Sequence, residues 1–126
     1  MNQTLPKRER LSGRTAVSTL MKKGRWGTAG CLKYCFLSPG GDEVTRIMVS
    51  VSKRSFKRAV KRNLLKRRLR ESYRTQKELL GAAAPLDLAF VYNSKEVLDY
   101  KIIREDVAEI LRRLAAPADA PEGGAL

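Results

Sequence analysis

Chemistry in this chain is concentrated in its cations. Between Lys53 and Lys77 the sequence reads KRSFKRAVKRNLLKRRLRESYRTQK, with twelve Lys and Arg residues against a single acid, Glu71. Guanidinium groups offer planar, bidentate donors to phosphate oxygens, and ammonium groups act as point charges toward the same anions. Asn63, set among them, can donate to and accept from a base, a sugar or a phosphate. Residue types that move protons, attack electrophiles or hold metals are thin by comparison. The chain has no histidine and two cysteines, which leaves no zinc-ligand set. Cys31 and Cys35 fall in one expected strand, roughly 13 Å apart at the strand rise and beyond disulfide reach. They read as small, half-buried thiols. Asp42-Glu43 in a turn and Glu105-Asp106 on a helix read as solvated acids, so neither a catalytic residue nor a metal ligand is expected from this chain.

The surplus of charge is global as well as local. With 26 basic and 13 acidic side chains, the formal net charge is +13 over 126 residues. Such a field draws nucleic acid or an anionic membrane. Most of the acids follow residue 77, so the surface should be polarised. A hydrophobic content of 43% suits a folded domain and excludes a disordered basic tail. No run of about 18 apolar residues is present to span a membrane. MNQTLPKRERLSG lacks the apolar segment of a secretory signal, and the expected location is the cytoplasm. The length suits one domain: a basic arm at 1–11, a single domain at 12–115, and a Pro, Ala and Gly-rich tail at 116–126 expected to be disordered.

Positioning elements can be read in order. From Ser12 as N-cap, SGRTAVSTLMKKG forms a short helix with Val17, Leu20 and Met21 on one face and Gly24 as its stop. Arg25–Gly30 reads as a loop. CLKYCFL is a strand sending Leu32, Tyr34 and Phe36 one way and Lys33, Cys35 and Leu37 the other. After the turn SPGGDE, VTRIMVSVS is a second strand with Ile47, Val49 and Val51 on one side and a polar side at Ser50 and Ser52. The basic helix then runs from an N-cap at Ser55 to Leu80, about 39 Å, before Gly81 stops it. LDLAFVY is a third strand, with Leu86, Leu88, Phe90 and Tyr92 on one face. Asp99 or Ser94 caps a last amphipathic helix whose face is Ile103, Val107, Ile110, Leu111 and Leu114. The order α-β-β-α-β-α is an α+β sandwich of helices on one small sheet.

Wound at 100° per residue, the basic helix acquires sides. Arg62, Lys66 and Arg70 align, with Asn63, Arg67 and Arg74 on the adjoining stripe. Leu65, Leu69 and Tyr73 make a thin apolar line for docking on the sheet. Lys57, Lys61 and Arg68 project elsewhere, and Glu71 stands four residues from Arg67. So dense a run with one acid points to a polyanion rather than to a merely solvated face. A basic helix alone does not choose between DNA and RNA. A DNA regulator would want a dimer interface or a helix-turn-helix, and a membrane-surface helix a broader, aromatic apolar face; neither is evident.

At these residues the chain resembles a known family. SVSKR (Ser50–Arg54) followed by KRAVKRNLLKRRLRE (Lys57–Glu71) is similar to the signature of the bacterial ribonuclease P protein subunit. Ala59, Val60, Arg62, Asn63, Lys66, Arg67, Arg70 and Glu71 match in register, and RERL (Arg8–Leu11) also agrees, so the resemblance covers roughly residues 7–114. It departs at Arg62-Asn63-Leu64, where the family has Arg-Asn-Arg, and at Val17 and Met21, where the family often carries phenylalanines lining a cleft.

The resemblance implies a small basic subunit bound to a large catalytic RNA, ribonuclease P RNA, in an enzyme that cleaves precursor tRNA to make its mature 5′ end. It implies that catalysis belongs to the RNA and its bound Mg²⁺, with no cofactor held by the protein alone and neither a membrane nor a small molecule as partner. It also implies a left-handed βαβ crossover through the basic helix. The expected RNA-binding residues are Lys53, Arg54, Lys57, Arg58, Lys61, Arg62, Asn63, Lys66, Arg67 and Arg70. Val17, Met21, Tyr34 and Phe36 are the candidates for a cleft that takes the precursor's 5′ leader, with either Tyr34 or Phe36 as a stacking platform. The competing expectation is a structural RNA-binding protein of ribosomal type, with no effect on precursor tRNA cleavage.

Overall fold

Leu88, Phe90 and Tyr92 alternate with Asp87, Ala89 and Val91, and nearly all of them are buried, so this strand must be covered on both faces. The computed structural model describes residues 7–115 except 39, 42 and 82–84; the first six residues of the expected arm, Asp42 and the expected tail 116–126 lie outside that set. Three helices and four strands follow in the order α1 (Arg14–Lys23), β1 (Arg25–Ala29), β2 (Leu32–Leu37), β3 (Arg46–Ser50), α2 (Ala59–Arg74), β4 (Asp87–Tyr92) and α3 (Tyr100–Leu114). They form one sheet in the order β1-β2-β4-β3. β4 pairs antiparallel with β2 and parallel with β3, and α2 is the crossover between the parallel pair.

The fourth strand, β1, occupies what was expected to be a loop. Arg25–Ala29 pairs antiparallel with β2 along its whole length. RWGTA hides this because its inward position is a glycine: a Cβ on Gly27 would fall 2.4 Å from the Tyr34 ring. The aromatic side chain of β2 fills the space that an apolar residue of β1 would otherwise take. The hairpin turns at Gly30, whose φ of 57° suits glycine, and the Asp106 carboxylate accepts from the Cys31 N–H at 2.9 Å. Burial, with Asp106 alongside, pushes the Cys31 thiol up to about 12. Both cysteines are free.

Two cores result, one on each face. The larger joins Leu32, Tyr34, Ile47, Leu88, Phe90 and Tyr92 of the sheet to Leu65, Leu69 and Tyr73 of α2 and to Ile103, Val107, Ile110 and Leu111 of α3. The smaller, on the opposite face, joins Cys35 and Ala89 to Leu11 and Leu20, with Met21, Leu37 and Met48 partly buried against it. Leu11 explains why residues 7–11 are not a free arm. Its N–H donates to the Ile47 carbonyl at 2.7 Å, Arg10 bridges Ile47 in parallel, and Lys77 pairs with Glu9 at 3.0 Å. This segment covers the outer edge of β3, where unpaired backbone would otherwise be exposed.

Helix boundaries move inward from the sequence pattern for identifiable reasons. α1 begins after Gly13, not Ser12, and no side chain caps it. α2 starts at Ala59 rather than after Ser55, because Phe56 is drawn into the core beside Tyr92, ring centroids 5.8 Å apart. It ends at Arg74, because Thr75 donates to the Glu71 carbonyl and Gln76, itself buried, donates to the Ser72 and Arg104 carbonyls. A separate 3₁₀ turn at Lys77–Leu80 runs up to Gly81. The helix is therefore about 24 Å long, not 39 Å.

Leu69 is fully buried at the middle of the α2 docking line. Leu69→Ala should cost about 2–5 kcal/mol, read as a lowered urea midpoint with an unchanged m-value.

Candidate nucleic-acid interface

The apolar line on α2 fixes which of its cations face outward. With Leu65, Leu69 and Tyr73 buried, Asn63, Arg67 and Arg70 are exposed, and Arg62 and Lys66 are half-buried along the border of that line. Lys53 and Arg54 are exposed in the turn leaving β3. Among the described residues, ion pairs use Arg8, Arg46, Arg74, Lys77 and Arg113, and none of the ten expected RNA-binding residues takes part. Glu71 does not relieve Arg67 as the spacing suggested. Its carboxylate accepts from Arg74 one turn later, which holds it below the usual carboxylate range. Burial, together with the Arg10 guanidinium nearby, lowers the pKa of Arg70. The Arg10 guanidinium, on the segment beside β3, thus lies close enough to Arg70 to be felt electrostatically.

Two of the arginines on α2 also hold the fold. Arg62 donates from one nitrogen to the carbonyls of Phe56 and Lys57, both at 2.8 Å. It closes the approach to the helix and orients its own remaining donors. Arg68 reaches the Leu98 carbonyl ahead of α3. Leu64, where the resemblance has arginine, is half-buried one turn before Arg68, on the flank turned toward that tether. Lys57, Arg58 and Lys61 are exposed, and with Lys95 they border an open hollow of about 510 Å³ between the start of α2 and the β4–α3 connection. Lys95 was not foreseen because it lies outside the basic run.

The face of the sheet that carries α1 forms a second surface. α1 starts beside β3, following Leu11, and ends over β2, where a Cβ on Gly24 would meet the Cys35 sulfur. Ten residues at 1.5 Å each span about 15 Å, enough to cross the two inter-strand spacings from β3 to β2, about 10 Å. The helix therefore lies across the strands and covers Cys35 and Ala89. One step along, the pairing Thr28–Lys33, Lys33–Val91 and Val91–Ser50 makes a row across all four strands on this same face. Every member of that row is exposed or half-buried. It is an open floor beside α1.

Val17 and Met21 stand on one flank of α1, both half-buried. Tyr34 and Phe36 do not join them. Both lie on the opposite face, where Tyr34 is buried in the larger core and Phe36 packs against it, ring centroids 6.4 Å apart. The Tyr34 hydroxyl receives a long hydrogen bond from Arg113, and the same nitrogen donates to the Thr28 carbonyl at 2.8 Å. Alternation in β2 was read correctly, but it could not tell which face the two long helices would take. With Tyr34 and Phe36 committed to core, the floor beside α1 belongs to Lys33 and its row. The available signal was charge: residues 10–41 contain six Lys and Arg and no acid.

Comparison with known proteins bears on the family and the fold. The family model described as Ribonuclease P matches residues 5–115. A ribonuclease P protein component of Porphyromonas gingivalis strain W83 is 32% identical over 118 residues, spanning 88% of this chain and 86% of the relative. One from Petrotoga mobilis is 32% identical over 121 residues, spanning 90% and 98%. The solved ribonuclease P protein of Thermotoga maritima superposes with a TM-score of 0.72 at 25% identity, over 84% of this chain and 97% of that one. That of Staphylococcus aureus, at 20% identity and a TM-score of 0.71 over 83% and 94%, shares the fold.

Arg62 and its neighbours should separate in a melting experiment. Arg62→Ala removes the clamp on Phe56 and Lys57 at a cost of about 1 kcal/mol, lowering Tm by about 4 °C. Asn63→Ala and Arg67→Ala, both at exposed positions, should leave Tm within about 1–2 °C of the parent.

Proposed function

The chain belongs to the ribonuclease P protein family, and on that premise we propose that it binds the catalytic RNA of that enzyme through α2 and the 5′ leader of precursor tRNA through the floor beside α1. It is the protein subunit of an endoribonuclease holoenzyme that forms the mature 5′ end of tRNA. The observation that carries the α2 assignment is a cationic stripe on α2 whose residues take no ion pair among the described residues. Lys53, Arg54, Asn63, Lys66, Arg67 and Arg70 present donors outward from a helix that packing has fixed in rotation, a rigid array suited to the phosphates of a folded RNA. Lys57, Arg58 and Lys61 extend it at the start of the helix. Leu64 withdraws one arginine from the usual triplet, and Lys61 or Arg68 stands nearest to make up the charge. Arg68 is already engaged with Leu98, which favours Lys61.

The leader assignment rests on shape and charge. The row Thr28, Lys33, Val91 and Ser50 is shallow, mixed in polarity and flanked by α1 with Val17 and Met21. Single-stranded nucleic acid needs cations along its backbone and tolerant surfaces for its bases. Ser50 brings the row to Lys53 and Arg54, so leader and catalytic RNA would meet at the β3–α2 turn.

The chemistry of cleavage we assign to the RNA. Among the described residues no group of three or more His, Cys, Asp or Glu side chains could hold a metal ion. We propose that the RNA holds Mg²⁺, and that the protein binds, orients and neutralises charge. A cytoplasmic location is part of the same proposal; no helix among the described residues is long and apolar enough to cross a membrane.

The test is precursor tRNA cleavage by a bacterial ribonuclease P RNA at low Mg²⁺. Added protein should stimulate cleavage, and Lys66→Ala/Arg67→Ala should weaken assembly with the RNA and reduce the slope of log K against log salt by about 2. No stimulation would favour the ribosomal-type reading. An unchanged slope would remove the α2 stripe from the RNA interface.

A further inference from the structure

Trp26 is the chain's one tryptophan, and it is 51% exposed on β1. Tryptophan joins a large apolar ring to one N–H donor, which is why it is enriched at interfaces. Pairing places Trp26 opposite Cys35 and Thr28 opposite Lys33, so all four face the side of the sheet that carries α1. The Lys33 ammonium lies 6.0 Å from the centre of the Trp26 ring, at the outer limit of a cation–π contact. Lys22 and Lys23, both exposed, end α1 just ahead of β1, whereas Arg25 pairs with Phe36 and faces the other side of the sheet. No acid occurs between residues 10 and 41. The ring is therefore an exposed apolar plate beside the Lys33 cation, on the edge strand at the end of the floor farthest from β3.

We infer that Trp26 is a base-stacking platform that takes a nucleotide of the single-stranded 5′ leader where it crosses β1. The inference rests on the leader reading above and extends it. β1 lies three strand spacings from β3, about 14 Å, so Trp26 and the β3–α2 turn hold opposite ends of one track. Lys33 sits between them on the floor, able to neutralise a phosphate while leaning on the ring. Aromatic stacking is indifferent to base identity, which suits a leader whose sequence differs between precursors. The same position answers the departure on α1. With Val17 and Met21 where the resemblance has phenylalanines, and with Tyr34 and Phe36 committed to core, Trp26 is the described aromatic left open on this face.

The ring is its own reporter. In the holoenzyme assembled with ribonuclease P RNA, precursor tRNA carrying a leader should quench Trp26 fluorescence, and leaderless mature tRNA should not. Trp26→Ala should weaken binding of leader-bearing precursor about five- to tenfold without changing binding of mature tRNA, and Trp26→Phe should recover part of the loss. Circular dichroism of both variants checks that β1 survives the change. If removing the leader weakens binding by the parent but Trp26→Ala behaves as the parent and no quench is seen, Trp26 is not the platform and the leader reading stands. If removing the leader weakens neither protein, the leader reading falls and the platform with it.

Discussion

Three side chains make the rest of this molecule possible. Leu65, Leu69 and Tyr73 fix the rotation of a helix whose other residues are mostly cations that repel one another. Burying each leucine contributes about 1.5–3 kcal/mol, and Tyr73 adds a larger apolar area packed against Phe90. Like-charge neighbours at helical spacing cost a few tenths of a kcal/mol each. Docking therefore wins, and the repulsion is stored on the outer face until a polyanion arrives. Freed from the sheet, this helix would have little reason to persist in isolation.

The same logic divides the sheet. Both long helices occupy one face, which leaves a ten-residue helix to cover the other. So short an element shields Cys35 and Ala89 but not the next row of side chains. An open floor is the direct consequence, and Arg10–Leu11 seals the β3 edge beside it. Arg46 and Asp87 close the far end of the sheet, with the buried carboxylate accepting from both guanidinium nitrogens and from the Gly41 N–H. One face thus carries the larger core, and the other keeps an exposed row of side chains beside a smaller one.

Much of this was legible in the residues. The apolar line on α2, the alternation in β2 and β4 and the amphipathic α3 lie where their periods put them, because each is a local pattern that a single partner satisfies. What escaped was set by distant partners. β1 is a strand because Tyr34 occupies the space over Gly27, and a five-residue segment with an inward glycine shows no alternation to find. The ends of α2 are set by Phe56 sinking beside Tyr92 and by Gln76 reaching Arg104. Tyr34 and Phe36, two of the four cleft candidates, fell on the face away from α1 for a related reason. Period two assigns Tyr34 and Phe36 to one side and Lys33 to the other, but only tertiary packing says which side the long helices take. The cationic stripe was easier, since density of charge needs no partner within the chain to be recognised.

The central claim is that two surfaces of one small protein touch two different RNAs. A photo-crosslinking side chain placed at Arg67, and separately at Lys33, reads this directly in the holoenzyme bound to precursor tRNA. From position 67 the crosslinks should fall on the catalytic RNA, and from position 33 on the leader upstream of the cleavage site. Crosslinks from both positions to the same RNA, or in the reverse assignment, would contradict the division of labour between α2 and the floor beside α1.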